Sequence, residues 1–228
     1  MRICGECREA TFLERATRFS ALLKLEGREE MVHLPNSGRL SELLTFGQRV
    51  IVVERRAPHR VTHYDLTMVC LGNRLVSVDA RLPSKLVYEA LLNGTLPQFG
   101  RYASVRREAT FGQSRLDFLL RGVPPCLLEV KSVTLVRRGM ALFPDAPTSR
   151  GRRHLQTLMA ATREGYNAAV LFVIQREDAD SFSPNDEADP QFGSTLREVA
   201  LSQVGVYAYR CIVEMDEIRL AGAVNVRL

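Results

Sequence analysis

The chain has 228 residues, of which 46% are hydrophobic and 25% charged, and its formal net charge is +5. This length allows one large or two small domains with a real core, and this composition excludes widespread disorder. No apolar stretch approaches the roughly 20 residues of a membrane span, and residues 1–4 do not open a signal peptide. We therefore expect a cytoplasmic protein without a membrane partner. The mild positive charge fits an anionic partner but does not identify one.

The first third of the chain predicts a small β-barrel. Short apolar runs separated by turn residues span 18–25, 30–34, 49–55, 62–71 and 74–78. Five short strands in so few residues favour a closed or partly open barrel, and the five-stranded oligonucleotide-binding (OB) type is the economical candidate. Cys4 and Cys7, which precede these strands, have metal-ligand spacing. Because no second such pair follows, we interpret them as incidental thiols at a loose terminus.

The rest of the chain predicts a helix-layered sheet. A helix at 84–92, with Ser84 as its N-cap, marks a boundary between domains 1–83 and 84–228. Strands follow at 105–111, 116–120 and 126–130, then a loop at 134–148 and a helix at 150–163. A strand at 168–175, a loop at 176–190, a helix at 194–202 and a strand at 204–213 complete the pattern. This order is typical of an α/β sheet layered by helices.

Two of these apolar strands are interrupted by carboxylates. Asp117 lies in the run 116–120 and Glu129 in the run 126–130, and burying a carboxylate is costly unless something pairs with it. The turn residues at 121–125 predict a hairpin that brings Asp117 beside Glu129 and Lys131. Residues two apart share a strand face, so Glu129 and Lys131 point the same way. Glu108, in the preceding strand, is a candidate third acid.

Two carboxylates and an ammonium are the components of a magnesium-dependent site that cleaves phosphodiesters, because Mg²⁺ prefers carboxylate oxygens. The alternative is an exposed ion pair between Glu129 and Lys131, since this short pattern is common by chance. The flanking acids favour the metal site. We therefore predict Asp117 and Glu129 as ligands of Mg²⁺ or Mn²⁺, Lys131 as the group that orients water or stabilises charge, and Glu108 as an assisting acid.

Basic residues cluster after the strand that carries Glu129. Phosphate contacts beside a metal site need such cations, although a solvated basic face would have the same composition. The candidate nucleic-acid contacts are Arg39, Arg115, Arg137, Arg138, Arg150, Arg152, Arg153 and His154. Several of them lie near the start of the predicted helix 150–163, where free backbone amides favour anions.

Five longer strings stand out in the sequence, namely HLPNSGR at 33–39, SRLDF at 114–118, EVKSVTL at 129–135, FPDAPT at 143–148 and FVIQR at 172–176. Through these strings the chain resembles the sugar fermentation stimulation protein A family from Phe12 to about Tyr207. Several long strings in the same order are stronger evidence of membership in a family than any single short motif. Within them, we interpret Asp145 as the brace of a rigid loop rather than as a metal ligand. The chain departs from the family at Thr17 and Ser84, where asparagine is usual.

The resemblance implies an N-terminal OB barrel and a C-terminal domain similar to the PD-(D/E)XK nucleases, with Asp117, Glu129 and Lys131 on the nuclease core. It also implies DNA binding and a regulatory role in sugar utilisation genes. A DNA-binding regulator that does not cut and a Mg²⁺-dependent nuclease acting on DNA or RNA both stay open. Because no ligand is lost, we predict DNA binding with an intact metal site, with cleavage as the alternative. Whether the protein forms a homodimer also stays open.

Overall fold

The N-terminal part of the chain forms a closed β-barrel in a computed structural model that describes residues 1–3, 5–55 and 59–228. Its strands are β1 (Cys7–Thr17), β2 (Ser20–Leu25), β3 (Arg28–His33), β4 (Arg49–Glu54), β5 (Tyr64–Leu71) and β6 (Arg74–Ser77). β3, β2, β1, β4 and β5 pair in that order, and a parallel contact between His33 and Asp65 joins β3 to β5 and closes the ring. β6 pairs with β5 outside the ring.

The predicted five-stranded barrel is confirmed, but one of its strands is different from the prediction. β1 supplies the strand that the sequence did not reveal, and the predicted strand 74–78 became β6, outside the ring. Ala10 and Phe12 of β1 point into the barrel core. Charged residues such as Glu9 and Glu14 lie on the outer face of the same strand and obscure the apolar alternation.

The C-terminal part of the chain is a mixed sheet flanked by helices. Its sheet strands are β7 (Ser104–Phe111), β8 (Ser114–Arg121), β9 (Cys126–Val133), β12 (Asn167–Ile174), β14 (Gly205–Val213) and β15 (Ile218–Ala223). Their order is β15-β14-β12-β9-β8-β7, with β9, β12 and β14 parallel and the others antiparallel. The helices are α1 (Leu82–Leu92), α2 (Ser149–Arg163) and α3 (Pro190–Leu201), with a short 3-10 turn at Pro97–Phe99.

Two hydrophobic cores sandwich this sheet. Leu155 and Leu158 of α2 and Phe192 of α3 pack against Val170 and Phe172 on one face. Leu86 and Val87 of α1 pack with Phe118 and Leu128 on the other face. Central strand β12 is buried on both sides, which its continuous apolar run predicted. No helix in the described ranges is long and apolar enough to span a membrane.

The predicted loops 134–148 and 176–190 were wrong in part, because they contribute to a second sheet. Its strands are β10 (Val136–Arg137), β11 (Met140–Phe143), β13 (Ser181–Pro184) and β16 (Asn225–Val226), in the order β10-β11-β13-β16. These strands are two to four residues long and pair mostly with distant segments. Such short runs carry too little periodicity for a sequence-based assignment.

Hydrogen bonds join the two domains close to the centre of the main sheet. Ser77 of β6 donates through its hydroxyl to Gln175 Oε1 at 3.0 Å, and Gln175 Nε2 donates to Ser132 Oγ at 2.9 Å. The N-terminus is also attached to the second domain, since Ile3 N donates to the carbonyl of Asp216 at 2.7 Å. The interpretation of this terminus as loose was therefore wrong for residues 1–3. The proposed thiol pair cannot be placed, because Cys4 lies outside the described residues.

Candidate metal centre

Glu129 is the buried carboxylate at the centre of the site, with 4% of its surface exposed. Lys131 Nζ donates to Glu129 Oε1 at 2.5 Å, and His154 Nδ1 contacts the same oxygen. Lys131 Nζ also lies 3.3 Å from His154 Nδ1. The two-residue repeat of β9 places Glu129 and Lys131 on one face, and α2 brings the histidine onto that face.

The charges around Glu129 keep it ionised. Burial alone would raise the pKa of its carboxyl, but the hydrogen bond with His154 and the charge of Lys131 outweigh burial and lower the pKa. Its second oxygen, Oε2, is buried and accepts no hydrogen bond from the described residues. A buried carboxylate oxygen without a donor costs free energy, and a divalent cation would remove that cost.

Asp117 lies next to Glu129 but in different surroundings. The β8–β9 ladder ends with the pair Phe118–Leu128, and Asp117 and Glu129 are the next residues of the two strands beyond it. Asp117 Oδ2 accepts from Val130 N at 2.8 Å, and Oδ1 accepts from Ser84 Oγ at 2.6 Å. Burial, followed by the negative charge of Glu129, raises the pKa of Asp117. The two donors and Lys131 offset only part of this rise.

Two carboxylates on adjoining strands fit a hard divalent cation. Carboxylate oxygens are its preferred ligands, and Mg²⁺ is commonly held by one or two of them while water or phosphate oxygens complete its shell. Within residues 1–3, 5–55 and 59–228, no three His, Cys, Asp or Glu side chains form a cage for a metal ion. Asp117 and Glu129 would therefore hold the ion together with exchangeable oxygens.

Ser84 has a role that the sequence did not reveal. The prediction that Ser84 caps the helix was wrong, because α1 begins at Leu82 after Arg81, and Pro83 occupies the first turn. Ser84 instead lies inside α1 and directs its hydroxyl to Asp117, a residue 33 positions away. No local pattern could have indicated this contact, because it depends on how α1 packs across the sheet.

Glu108 is not brought to Glu129. It lies on the edge strand β7, where its backbone has a left-handed φ of +55° between the paired residues Arg107 and Ala109. This conformation interrupts the regular alternation of the strand. The Glu108 side chain is 66% exposed and lies 3.7 Å from the Arg115 guanidinium of β8. Neighbouring strands alone therefore do not bring a third acid into the site.

His154 was predicted as a phosphate contact, but the structure buries it against Glu129, with 3% of its surface exposed. It shares the buried stripe of α2 with Leu155 and Leu158. The helical spacing of His154 and Leu158 was visible in the sequence and could have placed the histidine on the sheet-facing side. At the outer edge of the imidazole, Arg150 Nε lies 3.5 Å from His154 Nε2.

The predicted basic residues divide into paired and exposed groups. Arg152 bonds to the buried Asp189 at 2.7 Å, and Asp189 is also the N-cap of α3, so this pair ties α2 to α3. Arg137 pairs with Glu187 at 2.7 Å, and Arg115 lies near Glu108, as described above. The exposed residues that form no ion pair within the described part of the chain are Arg39, Arg138, Arg150 and Arg153.

Comparison with family models identifies both domains. The model described as the SfsA N-terminal OB domain matches residues 13–78, and the one described as the sugar fermentation stimulation protein RE domain matches residues 81–217. The chain belongs to the sugar fermentation stimulation protein family. This family assignment confirms the resemblance found in the sequence, and the two matches meet just before α1.

Members of the sugar fermentation stimulation protein family align over nearly the whole chain. The homolog from Moorella thermoacetica is 48% identical over 223 residues, which cover 96% of each protein. The homolog from Clostridium acetobutylicum is 42% identical over 230 residues, covering 100% of both. The solved structure of Pyrococcus furiosus SfsA in complex with Ca²⁺ matches with a TM-score of 0.93 and 26% identity, covering 100% of this chain and 98% of that one. The predicted fold, an OB barrel followed by a mixed sheet with flanking helices, is thereby confirmed.

Proposed function

We propose that this protein binds DNA through a nuclease-like surface in which Asp117 and Glu129 hold a divalent cation. The observation that carries the proposal is the buried Glu129 Oε2, which accepts no hydrogen bond from the described residues while Oε1 contacts both Lys131 and His154. A second carboxylate with a raised pKa lies on the adjoining strand. The Ca²⁺ complex of the Pyrococcus furiosus relative supports a divalent cation, and we propose Mg²⁺ or Mn²⁺ as the ion in this chain.

The phosphate-binding part of the proposal rests on the first turns of α2. Arg150 and Arg153 are exposed there, and Arg150 contacts the histidine that touches Glu129. Arg39 and Arg138 add exposed positive charge elsewhere on the protein. A phosphate that bridges the cation and the guanidiniums of Arg150 and Arg153 would be held by positive charge on two sides. Such contacts are the source of sequence-independent DNA affinity. RNA has the same phosphates and is the alternative ligand.

A second candidate function is Mg²⁺-dependent cleavage of DNA or RNA. The specific observation in its favour is the Lys131–Glu129–His154 cluster, in which two nitrogen groups meet one carboxylate oxygen. A bound cation would neutralise phosphate oxygens and lower the pKa of a coordinated water. Lys131 would hold Glu129 ionised and place an ammonium beside the developing phosphate charge.

Metal binding is tested by calorimetric titration of Mg²⁺, Mn²⁺ and Ca²⁺ into the wild type, Glu129→Gln and Glu108→Gln. We expect saturable binding that Glu129→Gln abolishes and that Glu108→Gln leaves unchanged, because only Glu129 carries the buried oxygen without a donor. Thermal melting at a cation concentration of 100 times Kd should show about 2.7 kcal/mol of added stability in the wild type. Equal binding by the wild type and Glu129→Gln would exclude this metal site.

DNA binding is tested by the salt dependence of affinity. Replacing Arg153 by Ala should lower the slope of log K against log salt by about 0.9 without changing stability, since one phosphate contact is lost. Arg152→Ala is the structural control, because Arg152 pairs with Asp189, the N-cap of α3, and its loss should lower stability. Affinity that does not depend on salt would contradict the proposal. Incubating circular and linear DNA with Mg²⁺, with Asp117→Asn as control, decides between binding alone and cleavage.

Several expectations from the sequence stay predictions. They are a cytoplasmic location, a homodimer and control of sugar utilisation genes. The last of these rests on the name that the family carries and needs a genetic measurement rather than a structural one.

A further inference from the structure

A cavity of about 300 Å³ lies between the two domains, and its lining includes Ser132, the residue after Lys131 on β9. The OB domain contributes Arg18 and the turn at 36–38. The second domain contributes residues 132–135 at the end of β9 and residues 142–148, which run from the end of β11 to the N-cap of α2. Ser132 directly follows Lys131 along β9, and Thr148 is the N-cap of the helix that carries His154. The cavity therefore opens where the strand and helix that build the metal centre meet the barrel.

The lining of this cavity is polar but nearly free of charge. Arg18 is its one cation among the described residues, and Asp145 is its one anion. Asp145 Oδ2 accepts from the backbone of Leu40 at 3.3 Å, in agreement with a bracing role. The other polar lining groups are neutral. Asn36, Ser132 and Thr148 already bond within the protein, and Ser37 and Thr134 add two hydroxyls. A phosphate needs several cations or free amides, whereas hydroxyls and amides beside apolar walls suit an uncharged base.

We propose that this cavity receives the base of one unpaired nucleotide whose phosphate lies at the metal centre. This inference rests on the proposed function and adds its substrate class, namely single-stranded or locally unpaired DNA. The volume lies at the lower end of the range for small-ligand sites, about 300 to 1,000 Å³, so it admits a base but not a stacked duplex. A base inside an intact duplex reaches such a pocket only after it leaves the stack.

The rim of the cavity carries a surface on which the next base can stack. The Arg18 guanidinium lies 5.4 Å from the centroid of the Phe19 ring, and Phe19 is 48% exposed. Both residues belong to the tight turn between β1 and β2. Exposed aromatic rings and planar guanidiniums bind the faces of bases in single strands without regard to sequence. The turn would therefore guide a single strand from the barrel into the cavity.

The test compares the binding of three labelled DNAs of one sequence to the full chain in Ca²⁺. They are a single strand, a perfect duplex and a duplex with one bulged nucleotide. We expect the single strand and the bulged duplex to bind about tenfold more tightly than the perfect duplex, which is the effect of one buried, stacked base. Ala146→Leu fills the cavity and should remove this preference, whereas Ala160→Leu, on the exposed face of α2, should keep it.

The outcomes separate this inference from the proposed function. If the three DNAs bind equally to the wild type, or if Ala146→Leu keeps the preference, the cavity does not receive a base. If no DNA binds and Glu129→Gln takes up the same cation, the proposed function itself is wrong. A 2-aminopurine at the bulge gives a direct readout, because its fluorescence should change on binding to wild type and not to Ala146→Leu. Should Ala146→Leu unfold, Arg18→Ala, at an exposed turn, tests the same preference.

Discussion

Asp117 and Glu129 are acids on adjoining strands, yet they have different hydrogen-bond partners and their pKa values shift in opposite directions. Glu129 meets two nitrogen groups, Lys131 and His154, and its pKa is lowered. Asp117 meets neutral donors, the Ser84 hydroxyl and the Val130 amide, and its pKa is raised by burial and by the charge of Glu129. Lys131 of β9 and His154 of α2 therefore place nitrogen groups on Glu129, while α1 and the backbone of β9 give Asp117 only neutral donors.

This contrast explains what a cation would change. Glu129 is already ionised and keeps one oxygen without a donor, so it offers a fixed negative ligand. Asp117 gains most from a positive charge, because burial and a like charge both oppose its ionisation. We therefore expect metal binding to depend on the ionisation of Asp117 and to weaken as the pH falls through its pKa.

The largest expected effect is on stability when Glu129 is removed. Glu129→Ala leaves Lys131 and the buried His154 without their shared carboxylate, and we expect a loss of about 3 kcal/mol in the free energy of unfolding. Glu108→Ala, at the exposed acid of β7, should stay within about 0.5 kcal/mol of the wild type. Urea unfolding at pH 7 in EDTA measures both. Equal values for the two variants would break the contrast between buried and exposed glutamates.

A smaller effect of opposite sign is expected at Asp117. Asp117→Asn keeps groups that can bond to Ser84 and Val130 but removes the charge, so without metal we expect it to be about 1 kcal/mol more stable at pH 7. A raised folded-state pKa contributes stability that is present below the ordinary value of 3.8 and is lost as pH rises through the folded pKa. The stability advantage of Asp117→Asn over the wild type should therefore grow as the pH rises through the folded-state pKa of Asp117.

The pH dependence at Glu129 should run the other way. Its pKa is lowered from 4.5, so its contribution is present above 4.5 and is lost as the pH falls through the folded pKa. The gap between wild type and Glu129→Gln should therefore shrink in acid. Urea unfolding between pH 3 and pH 7 in EDTA compares Glu129→Gln and Asp117→Asn, each against the wild type. Parallel pH profiles would show that the two carboxylates share one environment.

The last prediction concerns the hydroxyl that reaches Asp117. Ser84→Ala removes one hydrogen bond to an ionised group, and we expect a loss of about 1 kcal/mol at pH 7. Ser84→Asn restores a donor and should recover most of that loss. The difference between the two variants should diminish in acid, where Asp117 is protonated. A loss of the same size at all pH values would assign Ser84 to packing alone.

Much of the fold and the centre of the site could be predicted from the sequence. The apolar runs predicted β8, β9 and β12, and the two-residue repeat of β9 placed Glu129 beside Lys131. These features depend on neighbours in the chain, so local periodicity reveals them. The strand β1 and the second sheet were missed, because outer charges hide the pattern of one and the strands of the other are too short.

The residue types of the candidate site could be read from the sequence, since Asp117 and Glu129 interrupt apolar strands where burying a carboxylate is costly unless it is paired. The surroundings of these residues depend on tertiary packing. α2 brings the imidazole of His154 to Glu129, α1 brings the hydroxyl of Ser84 to Asp117, and the turn of β7 directs Glu108 to solvent. Contacts between residues far apart in the chain arise from helix and strand packing, and no local pattern encodes them. Packing therefore decides which acid has its pKa lowered and which arginines stay exposed.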